Sequence, residues 1–441
     1  MKIIIRRALG VAGTILFVSS RAFADEQTGP ESWSIHAQTT VLEQYHPSFK
    51  SPYEGPNSLR SADAGRETFD ATLFLGARLW EGGEAYVNPE VDQGFGLSDT
   101  LGVAGFPSGE AYKVGKAAPY FRLHRLFFRQ IFDLGGDQEA VLPDQNQLGG
   151  SQSRDHLTIT AGKFSVPDIF DTNSYAHDAK SDFMNWSIIE SGGFDYAADA
   201  WGYTYGLAVE WYQDWWTLRT GLFDLSRVPN TTELVRGLGQ YELVAEGEAR
   251  YALGALPGKV KLLGYYNRAR MGSYNDALAA ALALDSVPDT ALVRRPVSRP
   301  GMALNLEQQI DDRLGTFARV SWNDGSKEAY DFTEIHHSAV LGLSLNGTDW
   351  RRPGDAVGLA VVVNGISQSA RRYFAAGGLG ILIGDGALPK YGNETIAEAY
   401  YKATLIDWVA VSADYQFIAN PAYAGARGPV SVLGLRLHAQ L

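Results

Sequence analysis

Residues 200–224, AWGYTYGLAVEWYQDWWTLRTGLFD, restrict the fold more than any other stretch of this chain. Before Gln213, one face collects Trp201, Tyr203, Tyr205, Leu207, Val209 and Trp211. The other collects Gly202, Thr204, Gly206, Ala208, Glu210 and Tyr212. A period of two marks a strand lying between two unlike environments. A turn at Gln213 and Asp214 sets Trp211 opposite Trp216, Val209 opposite Leu218, Ala208 opposite Arg219 and Gly206 opposite Gly221. The apolar faces of the two strands then coincide. That face has aliphatics in the middle and aromatics towards its ends, the profile of a hairpin spanning a bilayer. The opposite face is small, with Glu210 and Arg219, and suits a wet lumen. A hairpin of a soluble β-sandwich is the alternative for this stretch alone.

The chain opens MKIIIRRALGVAGTILFVSSRAFA, with Lys2, Arg6 and Arg7 before a short apolar run and Ala22-Phe23-Ala24 as a cleavage pattern. This reads as a secretory signal peptide over 1–24. Its removal takes four basic residues and no acid, so the net charge moves from −12 to −16. An acidic exported chain without a basic patch is a poor nucleic-acid binder. No later segment approaches the roughly 20 apolar residues of a membrane helix. A barrel evades such a scan, because each strand turns only alternate residues to lipid. The absence of cysteine removes disulfides, thiol nucleophiles and cysteine metal sites together.

Glycine (48), tyrosine (22), phenylalanine (20) and tryptophan (10) run through the whole chain without a linker, which favours one continuous domain over 25–441. Alternating segments occur near 33–45, 69–80, 84–91, 120–132, 156–164, 240–252, 258–268 and 301–309. Others lie near 314–322, 338–346, 355–364, 395–406, 408–418 and 430–441. With the two strands of the hairpin they predict an all-β fold, a transmembrane antiparallel β-barrel of about sixteen strands and outer-membrane porin type. Such a barrel encloses an aqueous channel. The last segment alternates Leu435, Leu437, Ala439 and Leu441 with Arg436, His438 and Gln440, as a strand closing against the first requires. Short connections are expected at Gln213-Asp214, Leu256-Pro257 and Ile406-Asp407. Long ones are expected at 93–119, 165–200 and 271–300, and one of these could fold inward and narrow the pore.

Taken together the segments resemble the carbohydrate-selective porin (OprB) family. The resemblance is carried by YVNPEVDQGFGLSDTLGVAGFPSGEAYKVG (86–115), AGKFSVPDIFDTNSYAHDAKSDFMNWS (161–187), FDYAADAWGYTYGLAVEWY (194–212) and LRTGLFDLSRVPN (218–230). GGLGILIGDG (377–386) and NPAYAGARGPVSVLGLRLHAQL (420–441) extend it over nearly the whole mature chain. It implies a sixteen-stranded outer-membrane barrel that passes sugars, glucose in particular, by facilitated diffusion. It also implies a constriction of arginines, acids and an aromatic. Glu90, Asp92, Arg122, Arg125, Arg129 and Trp186 sit in the family-like segments. Arg122 and His124 share one face of their strand and Arg125 and Phe127 the other, so both reach the lumen only if a bulge intervenes.

A sugar is neutral, with hydroxyls round a ring and apolar C–H faces. A selective pore therefore needs hydrogen-bonding groups and an aromatic platform. Alternation turns Arg78, Glu210 and Arg219 to the lumen, and Arg122 if its side faces inward. Glu242, Glu246, Glu248 and Arg250 share one face. A solvated or salt-bridged wall is the plainer reading of each, and packing is the plainer reading of Trp186. Lys163 reads as a rim residue. Gly378-Leu379-Gly380 lacks a nucleotide-binding context, and adjacent His336 and His337 face opposite sides of a strand. No hydrolase motif is present. The expected protein is a passive carbohydrate channel, not an enzyme, with no cofactor and no metal. A barrel-embedded hydrolase, a general diffusion porin and a secreted glycan-binding β-protein are the alternatives. Its expected partners are the sugar, outer-membrane lipid and lipopolysaccharide, and the barrel-assembly machinery; monomer and homo-oligomer both stay open.

Overall fold

The computed structural model describes residues 30–441. The expected signal peptide, 1–24, lies outside the described residues. Sixteen strands occur among them: β1 (Trp33–His46), β2 (Ala64–Trp80), β3 (Gly83–Gly94), β4 (Tyr120–Val141), β5 (Gly150–Phe164), β6 (Thr204–Gln213), β7 (Trp216–Asp224) and β8 (Tyr241–Leu253). There follow β9 (Leu256–Met271), β10 (Arg295–Gln309), β11 (Leu314–Asn323), β12 (His337–Asn346), β13 (Ala356–Gly365), β14 (Glu394–Ile406), β15 (Val409–Ala419) and β16 (Val430–Gln440). Each pairs antiparallel with its neighbours in sequence, and β16 pairs with β1, so the sheet closes without an edge.

Alternation decides which side of the wall each residue takes. On β12 and β13, Leu341, Leu343, Leu359 and Val361 are exposed outward, while Val340, Ala360 and Val362 are buried inward. Trp33, Trp80, Trp211 and Tyr251 lie exposed towards one rim and Tyr45, Phe121, Tyr266 and Trp322 towards the other, with leucines and valines between. An outward apolar band flanked by aromatic girdles is what a bilayer selects.

The β6–β7 hairpin keeps its predicted faces but slips by two residues. The turn is at Asp214 and Trp215, Gln213 pairs with Trp216, Glu210 with Arg219 and Gly206 with Phe223. The observed register brings opposite charges directly together, and the Phe223 ring lies over Gly206, where a Cβ would meet it at 2.1 Å. The expected register would have left Arg219 facing Ala208. Two other short turns also shift by a residue or two, to 254–255 and 407–408. Trp201 and Tyr203 correct the expectation more strongly. They precede β6, are each 8% exposed, and point into the barrel rather than to the girdle.

Long connections all leave one rim, at 47–63, 95–119, 165–203, 225–240, 272–294, 324–336, 366–393 and 420–429. That rim is the outer face in barrels of this kind, and the turn side is periplasmic. The core lies inside the wall. Phe170, Phe183, Trp186, Ile188 and Phe194 of segment 165–203 are buried against inward residues such as Phe223, Val244, Phe317 and Tyr400.

Candidate functional site

Segment 165–203 is gripped by charged groups on the barrel wall. Glu246 accepts from the Asp171 amide at 2.8 Å and Glu307 from the Ser174 amide at 2.7 Å. Glu398 accepts from the Asn185 amide at 3.0 Å. Arg319 donates to the carbonyls of Ile188 and Ala176 at 2.7 Å each, and Arg436 to that of Asp182 at 3.0 Å. A hydrogen bond to a charged group contributes about 1.5–3 kcal/mol. These anchors sit on β8, β10, β11, β14 and β16. The segment therefore covers that wall and leaves space against the opposite one.

Two cavities occupy the space. One, of about 500 Å3, is lined by Gln38, Phe74, Glu90, Arg125, Phe127, Thr160 and residues of 95–119 and 165–203. The other, of about 1420 Å3, opens on the turn side and includes Arg78, Glu84, Glu210, Arg219 and Lys261. Arg129, Gln147, Asp168 and Ile169 line both, so they form the neck between them.

The sequence-predicted residues divide along this path. A bulge does intervene between the arginines: Asn88 pairs with Arg125 and Pro89 with Leu123, leaving His124 as the extra residue. Arg125 thereby turns inward and makes two hydrogen bonds to Asp168, at 2.8 and 2.6 Å. Arg129 lies 3.9 Å from Glu84, which Arg78 meets at 3.1 Å in the vestibule. Arg122 is elsewhere, 3.6 Å over the Trp201 ring and 3.9 Å from Asp199. Glu90 lines the upper cavity and accepts from Thr72 at 2.6 Å. Asp92 contacts His124 at 3.1 Å. Glu210 and Arg219 belong to the vestibule wall, where Arg219 also meets Glu246 and Glu248. Trp186 borders the upper cavity but is 4% exposed, stacked on Phe106, and so packs. Lys163 is no rim residue: it is buried, donating to the Leu123 carbonyl at 3.1 Å with Asp199 at 3.7 Å.

Asp168 and the amides Gln38, Asn88, Gln145, Asn146 and Gln147 escaped the sequence reading. Gln38 and Asn88 lie on strands but carry no charge or ring to mark them, the others lie in connections without periodic signal, and only folding brings Asp168 and Gln147 to the neck and the rest near it. Glu90, Asp92 and His124 set three potential ligand atoms within 4.8 Å of one another, the metal-compatible group found among the described residues.

One buried acid in the inward segment gives a pH prediction. Burial, then the nearby Asp171 charge, pushes Glu190 up to about 8. Its Oε2 has no partner, and the Tyr196 hydroxyl donates to Oε1 at 3.3 Å. Unfolded glutamate titrates near about 4.3. The folded state therefore holds the extra proton between these values. The stabilisation is complete below about 4.3, falls as pH rises towards about 8 and is flat beyond, by a few kcal/mol at most. Melting in detergent at pH 5, 7 and 9 should show a shallower decline in Glu190→Gln than in wild type, the remainder belonging to other buried acids raised by burial such as Glu334 and Asp182. An equally steep decline in Glu190→Gln would assign it to other groups.

A family model described as carbohydrate-selective porin, OprB family, matches residues 56–441. Among solved structures, the high-pH structure of Pseudomonas putida OprB is 16% identical, with a TM-score of 0.69, covering 93% of this chain and 94% of that one. The channel DcaP of Acinetobacter baumannii is 11% identical, with a TM-score of 0.49, covering 95% of this chain and 99% of that one. A comparison with curated proteins finds no match.

Proposed function

The chain belongs to the carbohydrate-selective porin (OprB) family, and from that premise we propose that its two cavities and neck form the route of a glucose-sized sugar. The family and the fold are those of a channel rather than an enzyme. Porins with this barrel are outer-membrane proteins, and the solute class is carbohydrate. The observation that carries the route is the neck, where Arg129, Gln147, Asp168 and Ile169 belong to both cavities.

The chemistry fits a neutral polyol. Arg125 and Asp168 compensate one another, as do Arg78 and Glu84, so the path offers donors and acceptors in pairs. Phe127, Phe74 and Phe106 line the upper cavity and give it an apolar side. Binding along the route stays weak enough for exit. Arg125, Arg129 and Glu90 are the predicted residues assigned to direct sugar contact. Arg78, Glu210 and Arg219 shape the vestibule, Asp92 and Arg122 hold the surrounding wall, and Trp186 supports the inward segment. Export through a cleaved leader over 1–24, insertion by the barrel-assembly machinery and contact with lipopolysaccharide complete the proposal.

Liposomes containing the refolded protein should admit glucose faster than a neutral non-sugar and an amino acid of similar size. Equal entry of all three would make it a general diffusion porin. No entry would sink the channel route and bring a barrel-embedded hydrolase forward.

A further inference from the structure

We propose that the β4–β5 hairpin is a second filter, folded into the barrel from the turn side. Gln145, Asn146 and Gln147 at its tip then discriminate among neutral solutes at the neck. The proposal rests on the sugar-channel reading for its ligand class and goes beyond it in locating selectivity outside the long loops.

The two strands are too long for the bilayer alone. β4 has 22 residues, against 17 in β2, the next longest strand, and its partner β5 has 15. A membrane strand needs about 9–11. A straight extension would stand out into solvent. Instead the ladder slips twice, between Asp133 and Gly135 and between Gly135 and Gln138. Gly135 and Gly136 there take φ of 103° and 86°, a region open to glycine and strained for other residues. The bend lays the hairpin across the mouth, and Gln138, Glu139, Val141 and Gly150 to Arg154 become walls of the larger cavity.

The tip then re-enters the lumen. Asp144 and Gln147 exchange backbone hydrogen bonds at 3.1 and 3.0 Å around Gln145 and Asn146. Asn146 has φ of 54°, which asparagine tolerates better than most residues. Its side-chain amide exchanges hydrogen bonds with that of Asn88 on β3, at 2.8 and 3.0 Å. Gln145 donates to Gln38 on β1 at 2.9 Å, and Arg129 donates to the Asn146 carbonyl at 3.0 Å. Leu148 is 3% exposed, and its amide faces the Tyr86 hydroxyl at 3.3 Å. Glu31 closes the base, bonded to Gly149 in both directions at 2.9 and 2.7 Å.

This docking is specific in geometry, and the side chains of Gln145, Asn146 and Gln147 are themselves uncharged. An amide both donates and accepts, so a row of amides can follow the alternating demands of vicinal hydroxyls while offering no net charge to an ion. Gln145, Asn146 and Gln147 all border the upper cavity with Arg125 and Asp168. A sugar at the arginine–aspartate pair therefore meets an amide edge in the same cavity.

Two variants test the filter. One replaces residues 135–154 by Asn-Gly, joining Leu134 to Asp155. The other, Gln145→Ala/Asn146→Gly/Gln147→Ala, keeps the hairpin and removes its amides, glycine preserving the left-handed backbone. Folding of each is checked by the faster gel migration of the unheated barrel. Planar-bilayer conductance in KCl and liposome uptake of glucose, a trisaccharide and a size-matched polyethylene glycol are then compared with wild type. The shortened hairpin should raise conductance about twofold or more and admit the trisaccharide, as expected when a constriction is removed. The amide variant should keep the size cut-off and lose preference for glucose over the glycol. Folded variants with wild-type cut-off and preference would overturn the filter. If wild type itself shows no preference for glucose, the sugar reading fails, while the cut-off of the shortened variant still decides whether the hairpin filters.

Discussion

Arg219→Ala is expected to destabilise the barrel by about 3–5 kcal/mol, because it strands buried carboxylates rather than merely removing a bond. Arg219 on β7 faces Glu210 of β6 across the ladder. Its guanidinium lies 3.3 Å from Glu210, 2.9 Å from Glu246 and 3.0 Å from Glu248. All four side chains are buried. Truncation leaves three acids in one cluster, with Lys261 and Arg250 reaching only Glu248. The loss should propagate, because Glu246 also holds the Asp171 amide of the inward segment. The temperature at which the unheated gel form disappears should fall clearly. Adding Glu246→Gln to Arg219→Ala should recover part of it, since one stranded charge is removed while its acceptor remains. If Arg219→Ala melts with wild type, lumen water already solvates these acids and the cluster contributes nothing to stability.

Arg125→Ala should act on transport instead. Asp168 accepts from the Ser165 amide at 3.0 Å as well as from Arg125, so it stays in position when the guanidinium is gone. An uncompensated carboxylate then stands at the neck. The ratio of cation to anion permeability should rise about tenfold, equivalent to ~1.4 kcal/mol. Reversal potentials under a KCl gradient measure it directly. Glucose should also lose its advantage over a neutral solute of equal size, because a paired donor and acceptor have become an acceptor alone. Arg125→Lys restores the charge but not the planar two-pronged fork. It should return the reversal potential towards wild type and leave the glucose advantage reduced. An unchanged reversal potential in Arg125→Ala would show that ions do not pass this neck.

The wall of this protein was legible because membrane strands advertise themselves by alternation. All sixteen segments predicted to be strands are strands, and the closing strand ends where its alternation indicated. The conflict between Arg122 and Arg125 left a bulge as the condition for both to face inward, and the structure has one at His124. Register was less legible. Slipping the β6–β7 pair by two residues preserves every face, so the pattern alone cannot choose; the Glu210–Arg219 contact and the fit of Phe223 over Gly206 choose. Trp201 and Tyr203 misled because the alternation runs on past the strand. They continue its pattern but turn inward, where Trp201 lies under Arg122 and Tyr203 stacks on His124.

The sequence by itself determined a closed, lipid-facing sheet with charged residues on its inner side. Strand periodicity and aromatic position are local properties, readable one segment at a time. Only the tertiary structure decided where the two cavities and the neck between them lie. The neck joins Arg129 on β4, Gln147 from the hairpin tip, and Asp168 and Ile169 from the inward segment. Their meeting depends on two glycines bending one hairpin and on wall charges such as Arg319 and Glu398 drawing a loop to the far side. Contacts of this kind join residues far apart in the chain, and no local periodicity records them.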